Sequence, residues 1–359
     1  MRSWAASEAH AVEPVAFTPL PDWRLPPPAG VRGRLAPSPT GLLHLGNAWA
    51  FLLAWLSIRA RGGELLLRLE DIDPQRSRPE YVAALLEDLR WLGLDWDYGP
   101  GGLCGDMPSW PQAGMEGSFF HQSHRAAIYE AALAALEAGG MTYPCFCTRR
   151  EVRQLAGAPH EDERCAPYPG TCRHLSDGER MARLSAGRRP CVRLRCPDSL
   201  WSFEDAVMGP QAARLDECGG DFALRRSDGV VAYQLATALD DGLMGITEVA
   251  RGRDILPSTP RQLALLHLLG LPAPRYAHFP LLLDGEGERF AKRHRSLTLA
   301  ALREQGVPPG RIIGLLGFWA GCLPHARSVH PRELVRAFSW SRVPREDIRV
   351  DACLLRENF

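Results

Sequence analysis

The chain has 359 residues, and its 42 basic and 42 acidic side chains give a formal net charge of zero at pH 7. Hydrophobic residues make up 45% and charged residues 23% of the sequence. This composition allows a large buried core and excludes intrinsic disorder as the class of the protein. Zero net charge excludes attraction to nucleic acid by bulk charge, so any RNA contact needs a local patch of arginines.

The length predicts about two or three domains. No apolar run approaches the roughly 18 residues of a membrane span, and the N-terminus lacks the basic-then-apolar order of a signal peptide. We therefore expect a cytoplasmic protein that does not enter the membrane. Ten cysteines in such a chain favour thiols or a metal site over a disulfide scaffold.

The first elements follow an alternating order. The first 30 residues contain several prolines and no apolar period, which predicts a leader that is flexible or lies over the surface. After it, the pattern predicts strands at 31–36 and 64–69 and helices at 46–61 and 79–92. Strand, helix, strand, helix within about 60 residues is typical of a doubly wound α/β domain.

The pattern then breaks and resumes. Residues 99–117 are rich in glycine and proline and predict a surface insertion. A cysteine-containing stretch and short strands at 190–230 precede a second α/β stretch. The further predicted elements are helices at 125–138, 233–239 and 258–269, strands at 246–250 and 276–283, and a mostly helical C-terminus.

The loop between the first strand and the first helix reads Ala-Pro-Ser-Pro-Thr-Gly at 36–41 and ends in His44-Leu-Gly46-Asn47. Backbone N–H groups and the dipole at the start of a helix attract phosphate. Gly46 lets the backbone approach a nucleotide closely, and His44 can donate to phosphate oxygens. The alternative is an ordinary turn with a surface histidine.

A second motif, Leu-Arg-Leu-Glu-Asp-Ile-Asp at 67–73, lies at the end of the second strand. Ligands of open α/β sheets bind outside the carboxyl ends of the strands, where a carboxylate can hold an ammonium group. Glu70 is the candidate, and a solvated acidic turn is the alternative. From the local sequence alone, we expect Tyr233 to be a core residue and Arg251 to form a surface ion pair.

Cysteines form a third pattern. Cys145 and Cys147 are one residue apart, and Cys165 and Cys172 follow 20 to 25 residues on, which suits a tetrahedral zinc ion that closes a small hairpin. Cys-x-Cys is less specific than paired Cys-x-x-Cys knuckles. We expect most of the remaining cysteines to be small buried hydrophobic residues.

The fourth motif is Arg-Phe-Ala-Lys-Arg-His-Arg at 289–295, and it contains Lys292, the one lysine among 42 basic residues. Such a basic stretch is usually a solvated face. Because the other 41 basic positions are arginine, a lysine here indicates function. A compact ammonium on a flexible stem serves a moving phosphate group differently from a planar guanidinium.

Together these motifs resemble the glutamate- and glutamine-specific branch of the class I aminoacyl-tRNA synthetases, over about residues 31–296. The first motif resembles the first class signature, with Asn47 at its second histidine. The fourth resembles the second signature, Lys-Met-Ser-Lys-Ser, with Lys292 as its second lysine, Arg289 at the first and Ala291 at the serine.

The resemblance implies an α/β fold with a Rossmann-like doubly wound parallel sheet. It also implies an inserted zinc-bearing subdomain and a short helical C-terminal region. The expected organisation is a flexible leader at 1–30, the halves of the catalytic domain at 31–140 (with the 99–117 insertion) and 231–296, the zinc-bearing subdomain at 141–230, and the helical region at 297–359.

The resemblance also implies roles for individual residues. Lys292 and His44 are expected in catalysis and, with Gly46 and Asn47, in binding ATP and its Mg²⁺. Glu70 matches the acid that contacts the amino group of glutamate, and Arg34 the arginine that pairs with its side-chain carboxylate. The full glutamate-binding set is Arg34, Leu35, Ala36, Pro37, Ser38, Glu70, Tyr233 and Arg251. The implied ligands of one structural zinc are Cys145, Cys147, Tyr168 and Cys172, with Cys165 a possible replacement for Tyr168.

Only 67 residues follow Lys292, too few for the large anticodon-reading region of a glutamyl-tRNA synthetase. The chain therefore resembles the shortened glutamyl-queuosine tRNA(Asp) synthetases. That family activates L-glutamate with ATP and esterifies it onto queuosine in the anticodon of tRNA(Asp). We expect these partners and a monomer. The alternatives are a truncated glutamyl-tRNA synthetase that charges the 3′ end, a nucleotidylyltransferase without an RNA substrate, and a non-catalytic module that binds zinc and RNA.

Overall fold

The structure is a computed structural model, and it describes residues 12–19, 23–102, 118–148, 150–152, 168–289 and 297–350. Lys292, Ala291 and Cys165 lie outside the described residues, as do residues 1–11 and 20–22 of the predicted leader and most of the 99–117 insertion. The expectations for these positions remain predictions.

The described part of the chain contains both strands and helices. The strands are β1 (Arg32–Leu35), β2 (Glu64–Leu67), β3 (Thr142–Cys145), β4 (Cys191–Leu194), β5 (Leu200–Asp205), β6 (Gly209–Arg214), β7 (Ala223–Arg225), β8 (Glu248–Gly252), β9 (Arg275–Phe279), β10 (Leu282–Leu283) and β11 (Ile348–Arg349). The helices are α1 (Leu45–Arg59), α2 (Pro79–Trp91), α3 (Ala126–Ala138), α4 (Asp177–Ser185), α5 (Tyr233–Leu243), α6 (Thr259–Leu268), α7 (Leu299–Glu304), α8 (Pro309–Trp319) and α9 (Pro331–Leu334).

A central sheet places the carboxyl ends of its strands side by side. β1 pairs in parallel with β2, and β8 pairs in parallel with β9. β1 lies beside β8, where the Thr247 N–H donates to the carbonyl of Arg32 at 2.9 Å. β5 joins the other side of β9 in parallel, with Asp205 opposite Tyr276. This arrangement confirms the predicted α/β class.

The sheet is mixed rather than wholly parallel, which corrects the prediction. β6 runs antiparallel to β5 along its whole length, because only three residues separate the two strands and so short a link makes a hairpin. The hairpin at 200–214 lies within the predicted inserted subdomain, yet it pairs with the central sheet. A separate antiparallel sheet of β3, β4 and β7 carries Cys145 opposite Cys191. The predicted domain boundaries themselves remain predictions.

Helix α1 forms the centre of the largest core cluster. Its side chains are buried on every face, including Trp49 and Trp55 at 1% exposure, as is typical of a helix surrounded by other elements. Gly33 on β1 permits the close approach of this helix, since a Cβ there would lie 2.5 Å from Cγ1 of Ile58. Apolar residues of α8, such as Ile312 and Ile313, pack in the same cluster. The C-terminal helices therefore cover α1.

Most predicted elements are found within about three residues of their expected ends. The predicted strand at 276–283 is two strands, β9 and β10, because Pro280 interrupts the pairing. Described parts of the leader run against α6, where the Val15 N–H donates to the carbonyl of Leu268 at 2.7 Å. In the described part of the chain, no helix has both the length and the apolar character to cross a bilayer.

Candidate active site

A cavity of about 480 Å³ opens where the carboxyl ends of β1, β2 and β8 meet the start of α1. Its walls contain every glutamate-binding and ATP-binding residue predicted from the sequence except Lys292, which lies outside the described residues. These wall residues are Arg34, Leu35, Ala36, Pro37, Ser38, His44, Gly46, Asn47, Glu70, Tyr233 and Arg251. The structure thus brings together residues that are up to 217 positions apart in the sequence.

Hydrogen bonds between the β1 and β2 segments continue past the ends of the two strands. The Arg68 N–H donates to the carbonyl of Leu35 and the Glu70 N–H to that of Pro37, both at 2.9 Å. This extended pairing fixes the Ala36-Pro37-Ser38 loop beside the acidic motif. Glu70 therefore faces the same cavity as Arg34.

Asp241 on α5 lies between two buried arginines below the cavity. Its Oδ1 accepts from Nε of Arg34 at 3.2 Å and from Nη1 of Arg68 at 2.7 Å. Although burial opposes ionisation, the charges of the two arginines lower the pKa of Asp241. The carboxylate is therefore ionised at neutral pH and shared between the two guanidinium groups.

Arg68 also connects this centre to Glu70, since its Nη2 donates to Oε1 of Glu70 at 3.1 Å. The Thr237 hydroxyl donates to the same oxygen at 3.4 Å. Burial raises the pKa of Glu70, and the arginines Arg68 and Arg34 oppose that rise. A cationic ligand group in the cavity would stabilise the ionised carboxylate further.

Arg251 and Tyr233 form the facing wall. Tyr233 is the first residue of α5 and remains 40% exposed, so the expectation of a core residue from its local sequence is wrong. Arg251, at the end of β8, is 6% exposed. Its Nε donates to Nε2 of His278 at 2.9 Å, and its Nη1 and Nη2 donate to Gln262 and Thr259, each at 2.7 Å. The local alternative of a surface ion pair is therefore wrong as well.

The first turn of α1 is capped by the residue predicted to contact phosphate. His44 is the N-cap, and its Nδ1 accepts from the Gly46 N–H at 3.1 Å. The Asn47 side chain reciprocates, since its Oδ1 accepts from the His44 N–H at 3.0 Å. With Nδ1 accepting, a neutral imidazole carries its proton on Nε2. Asn47 at the second histidine position of the signature thus serves as the partner in a capping box.

Arg289, the first basic residue of the fourth motif, reaches the rim of the cavity. Its Nη1 donates to Oδ2 of Asp254 at 2.8 Å, and both residues line the cavity wall. The described start of the motif, Arg289, thus lies at the same cavity as the first signature.

The cysteines form a second candidate site on the separate antiparallel sheet. The sulfur atoms of Cys145, Cys147 and Cys172 lie within 4.8 Å of one another. The Tyr168 hydroxyl lies 3.3 Å from the sulfur of Cys145 and 3.9 Å from that of Cys147. Three sulfurs and a phenol oxygen thus converge on one point, as a tetrahedral metal site requires.

The spacing of these donors fits a metal ion of the size of zinc. Two thiolates on a tetrahedral zinc ion, each about 2.3 Å from it, lie about 3.8 Å apart, and the sulfurs of Cys147 and Cys172 are 3.6 Å apart. A hydrogen bond from Cys191 and the nearby Arg193 guanidinium lower the pKa of Cys145 to about 4, although burial opposes the shift. The cluster can therefore hold a metal ion.

Sequence reasoning missed the buried residues that support the cavity. Adjacent acids in an apolar helix, Asp240 and Asp241, and an arginine in a leucine-rich strand, Arg68, are signals that could have found part of this set. His278 and its partner Asp205 lie on different strands and have no local signal.

Comparison with known proteins agrees with the geometry. Residues 30–345 match the family model described as tRNA synthetases class I (E and Q), catalytic domain. A glutamyl-Q tRNA(Asp) synthetase of Nitratidesulfovibrio vulgaris is 53% identical over 327 residues, which cover 90% of this chain and 97% of the relative. A glutamate–tRNA ligase 2 of Alkalilimnicola ehrlichii is 45% identical over 290 residues, which cover 80% of this chain and 58% of the ligase.

Among solved structures, a glutamate tRNA ligase of Elizabethkingia meningosepticum in complex with its amino acid superposes with a TM-score of 0.73. The two proteins are 27% identical, and the match covers 91% of this chain and 68% of the ligase.

Proposed function

The chain belongs to the class I tRNA synthetases of the glutamate and glutamine branch, and from this premise we propose that it activates L-glutamate with ATP and transfers it to queuosine in the anticodon of tRNA(Asp). The observation that carries the proposal is the cavity itself. Near the ends of β1, β2 and β8 it places the carboxylate of Glu70 and the buried guanidinium groups of Arg34 and Arg251 around one ligand, while the other charged wall residues, Asp254 and Arg289, pair with each other.

These charges complement those of glutamate, which carries one ammonium and two carboxylates. In the proposed complex, Glu70 binds the ammonium group and Arg34 the side-chain carboxylate. Arg251 and Tyr233 form the wall on the other side of the amino acid. A carboxylate side chain is charged and offers two acceptor oxygens to a guanidinium, whereas the amide of glutamine is neutral and offers one, so this arrangement favours glutamate.

ATP would occupy the end of the cavity at α1. The dipole at the start of α1 attracts phosphate, and His44, whose Nδ1 accepts from the Gly46 N–H, presents a proton on Nε2. The α-carboxylate of glutamate attacks the α-phosphorus in line, the bond to the bridging oxygen breaks, and pyrophosphate leaves. We assign stabilisation of the pyrophosphate charge to His44 and Lys292, and Mg²⁺ bound with ATP would neutralise part of that charge.

In the second step a hydroxyl of the queuosine cyclopentenediol attacks the carbonyl of glutamyl-adenylate, and AMP leaves with the bonding electrons. No protein nucleophile is required, because positioning of the reactants supplies much of the rate. We assign a structural zinc ion to Cys145, Cys147, Tyr168 and Cys172. The cytoplasmic location and the monomeric state remain predictions.

The acceptor in this proposal rests on the relatives. Identity is higher to a relative named glutamyl-Q tRNA(Asp) synthetase, 53%, than to one named glutamate–tRNA ligase, 45%. The alternative is a protein that charges the 3′ end of tRNA. A nucleotidylyltransferase without an RNA substrate does not explain why Glu70, Tyr233 and Arg251 line one cavity. A non-catalytic module would not exchange pyrophosphate.

One experiment separates these functions. The protein is incubated with ATP, labelled glutamate and one of three RNAs: tRNA(Asp) bearing queuosine, tRNA(Asp) lacking it, and queuosine-bearing tRNA(Asp) without its 3′-terminal adenosine. We expect the first and third to be labelled and the second to remain unlabelled. Equal labelling of the first two, or loss of labelling in the third, would exclude queuosine as the acceptor. Exchange of pyrophosphate that does not depend on glutamate would indicate the nucleotidylyltransferase.

A further inference from the structure

A buried chain of hydrogen bonds behind Arg251 has no role in the chemistry described above. His278 on β9 is fully buried, and its Nε2 accepts from Nε of Arg251 at 2.9 Å. A nitrogen that accepts carries no proton, so the proton of the neutral imidazole is on Nδ1. Nδ1 lies 2.6 Å from Oδ2 of Asp205 and donates to it. The order from the interior to the cavity is therefore Asp205, His278, Arg251.

Asp205 is itself fixed by the turn between β5 and β6. Its Oδ1 accepts from the N–H groups of Val207 and Met208 at 3.0 and 2.9 Å, and both of its oxygens accept from the His278 N–H at 3.1 Å. An aspartate held by this many donors holds the imidazole in one tautomer and one orientation.

His278 remains neutral at the pH at which the enzyme works. Burial, reinforced by the charge of Arg251, lowers its pKa to about 4 despite the hydrogen bond to Asp205. The acceptor that faces Arg251 is therefore an uncharged lone pair. Tyr276, whose ring lies 5.3 Å below the guanidinium and 5.9 Å from the imidazole, is also neutral.

The absence of charge on this acceptor distinguishes Arg251 from the buried arginines Arg34 and Arg68. Arg34 and Arg68 each pair with the carboxylate of Asp241. Within the described ranges, no carboxylate oxygen lies within 4.0 Å of the Arg251 guanidinium, and the three side chains that accept hydrogen bonds from it, His278, Gln262 and Thr259, are neutral. Its positive charge is thus held in place without being neutralised.

The geometry also leaves the guanidinium able to bind a second group. A guanidinium has five N–H donors, and the three neutral partners take one each from Nε, Nη1 and Nη2. Among the described residues, these contacts leave one N–H on Nη1 and one on Nη2, from which a carboxylate of the ligand can accept.

We propose that Asp205 and His278 are positioning residues that orient Arg251 toward a carboxylate of glutamate through neutral contacts, so that its full charge acts on the substrate. This inference rests on the proposed function of the cavity. It assigns the two residues to substrate binding rather than to the chemical step, and the experiment below separates these effects.

Replacing His278 with either of two amide side chains of different length tests the proposal. In His278→Gln the amide oxygen reaches the position of Nε2 and accepts from Arg251, whereas in His278→Asn it reaches only the position of Nδ1. A hydrogen bond to a charged group contributes enough to change binding about tenfold. We expect His278→Asn to raise KM for glutamate by about tenfold in glutamate-dependent ATP–pyrophosphate exchange, with KM for ATP and kcat nearly unchanged, and His278→Gln to stay within about threefold of wild type.

The matched control is His267→Gln, a histidine on α6 that lies outside the cavity wall and contacts the carbonyl of Val12. Thermal unfolding of every variant identifies losses due to folding, and a purely structural role for His278 would lower Tm and the active fraction without changing KM for glutamate. Equal KM values for the Asn and Gln variants would overturn the proposal, as would an increase confined to kcat. Wild-type protein without any glutamate-dependent exchange would instead contradict the proposed function.

Discussion

Asp241→Asn removes the negative charge that Arg34 and Arg68 share and keeps the shape of the side chain. The side chains of these three residues are only 4%, 5% and 0% exposed, so solvent cannot replace the lost charge. Removing one partner of a buried ion pair costs about 3–5 kcal/mol. Such a loss is a large part of the 5–15 kcal/mol by which a typical domain is stable, so the stability of this protein should fall substantially.

The expected change in Tm follows from the length of the chain. An unfolding entropy of about 2.1 cal/mol/K per residue converts a loss of 3–5 kcal/mol into a decrease in Tm of about 4–7 °C. We also expect KM for glutamate to rise by about tenfold, which corresponds to about 1.4 kcal/mol, because Arg34 loses the carboxylate that orients it.

Differential scanning calorimetry and glutamate-dependent pyrophosphate exchange measure these two effects. The matched control is Asp216→Asn, which affects an aspartate whose side chain is 77% exposed and 3.9 Å from Arg214. Exposed pairs contribute less than about 1 kcal/mol, so this control should leave Tm nearly unchanged. Equal Tm values for the two variants would refute the argument that Asp241 is the shared counter-ion of the site.

Three further predictions concern other parts of the chain. Lys292→Ala should sharply lower the rate of pyrophosphate exchange and leave glutamate binding, measured by calorimetry, nearly intact; an unchanged exchange rate would remove Lys292 from the proposed mechanism. Cys172→Ser should lower the zinc content measured by atomic absorption, with Cys322→Ser, a buried cysteine outside the cluster, as its control; equal zinc in both would contradict the assigned site. Asp88→Asn should raise stability at pH 7.5 by about 1–3 kcal/mol, because burial raises the pKa of Asp88 to about 6, above its value in the unfolded chain. The wild type therefore loses stability as pH rises from about 4 to about 6, and the advantage of the variant, measured by thermal unfolding, should shrink toward pH 4.5; an advantage independent of pH would contradict this reasoning.

Local pattern was sufficient for most of the elements. The apolar residues of α1 and the leucine-rich β2 helped to predict the order of strands and helices. The pairing of β5 with β6 and with β9 was not predictable in this way, because a strand does not carry the identity of its neighbour in its own residues. The antiparallel strand β6 and the break at Pro280 were therefore found only in the structure.

The candidate site, too, was predictable from the sequence only in part. Residues that meet a ligand stand in contiguous motifs, so their resemblance to a known family predicted His44, Glu70, Tyr233 and Arg251, and the structure brings these four to one cavity. Local reasoning on Tyr233 and Arg251, in contrast, predicted a core residue and a surface ion pair. The roles of all these residues, and of Lys292, remain predictions for the experiments above.

The sequence by itself determined the α/β class, the family and eleven of the residues that line the cavity, because each is encoded in short segments with a fixed spacing. Only the tertiary structure decided which charges are neutralised. Asp241 lies between Arg34 and Arg68, whereas Arg251 is held by the neutral His278. These contacts join residues far apart in the chain, and their strength depends on burial, which no local pattern records.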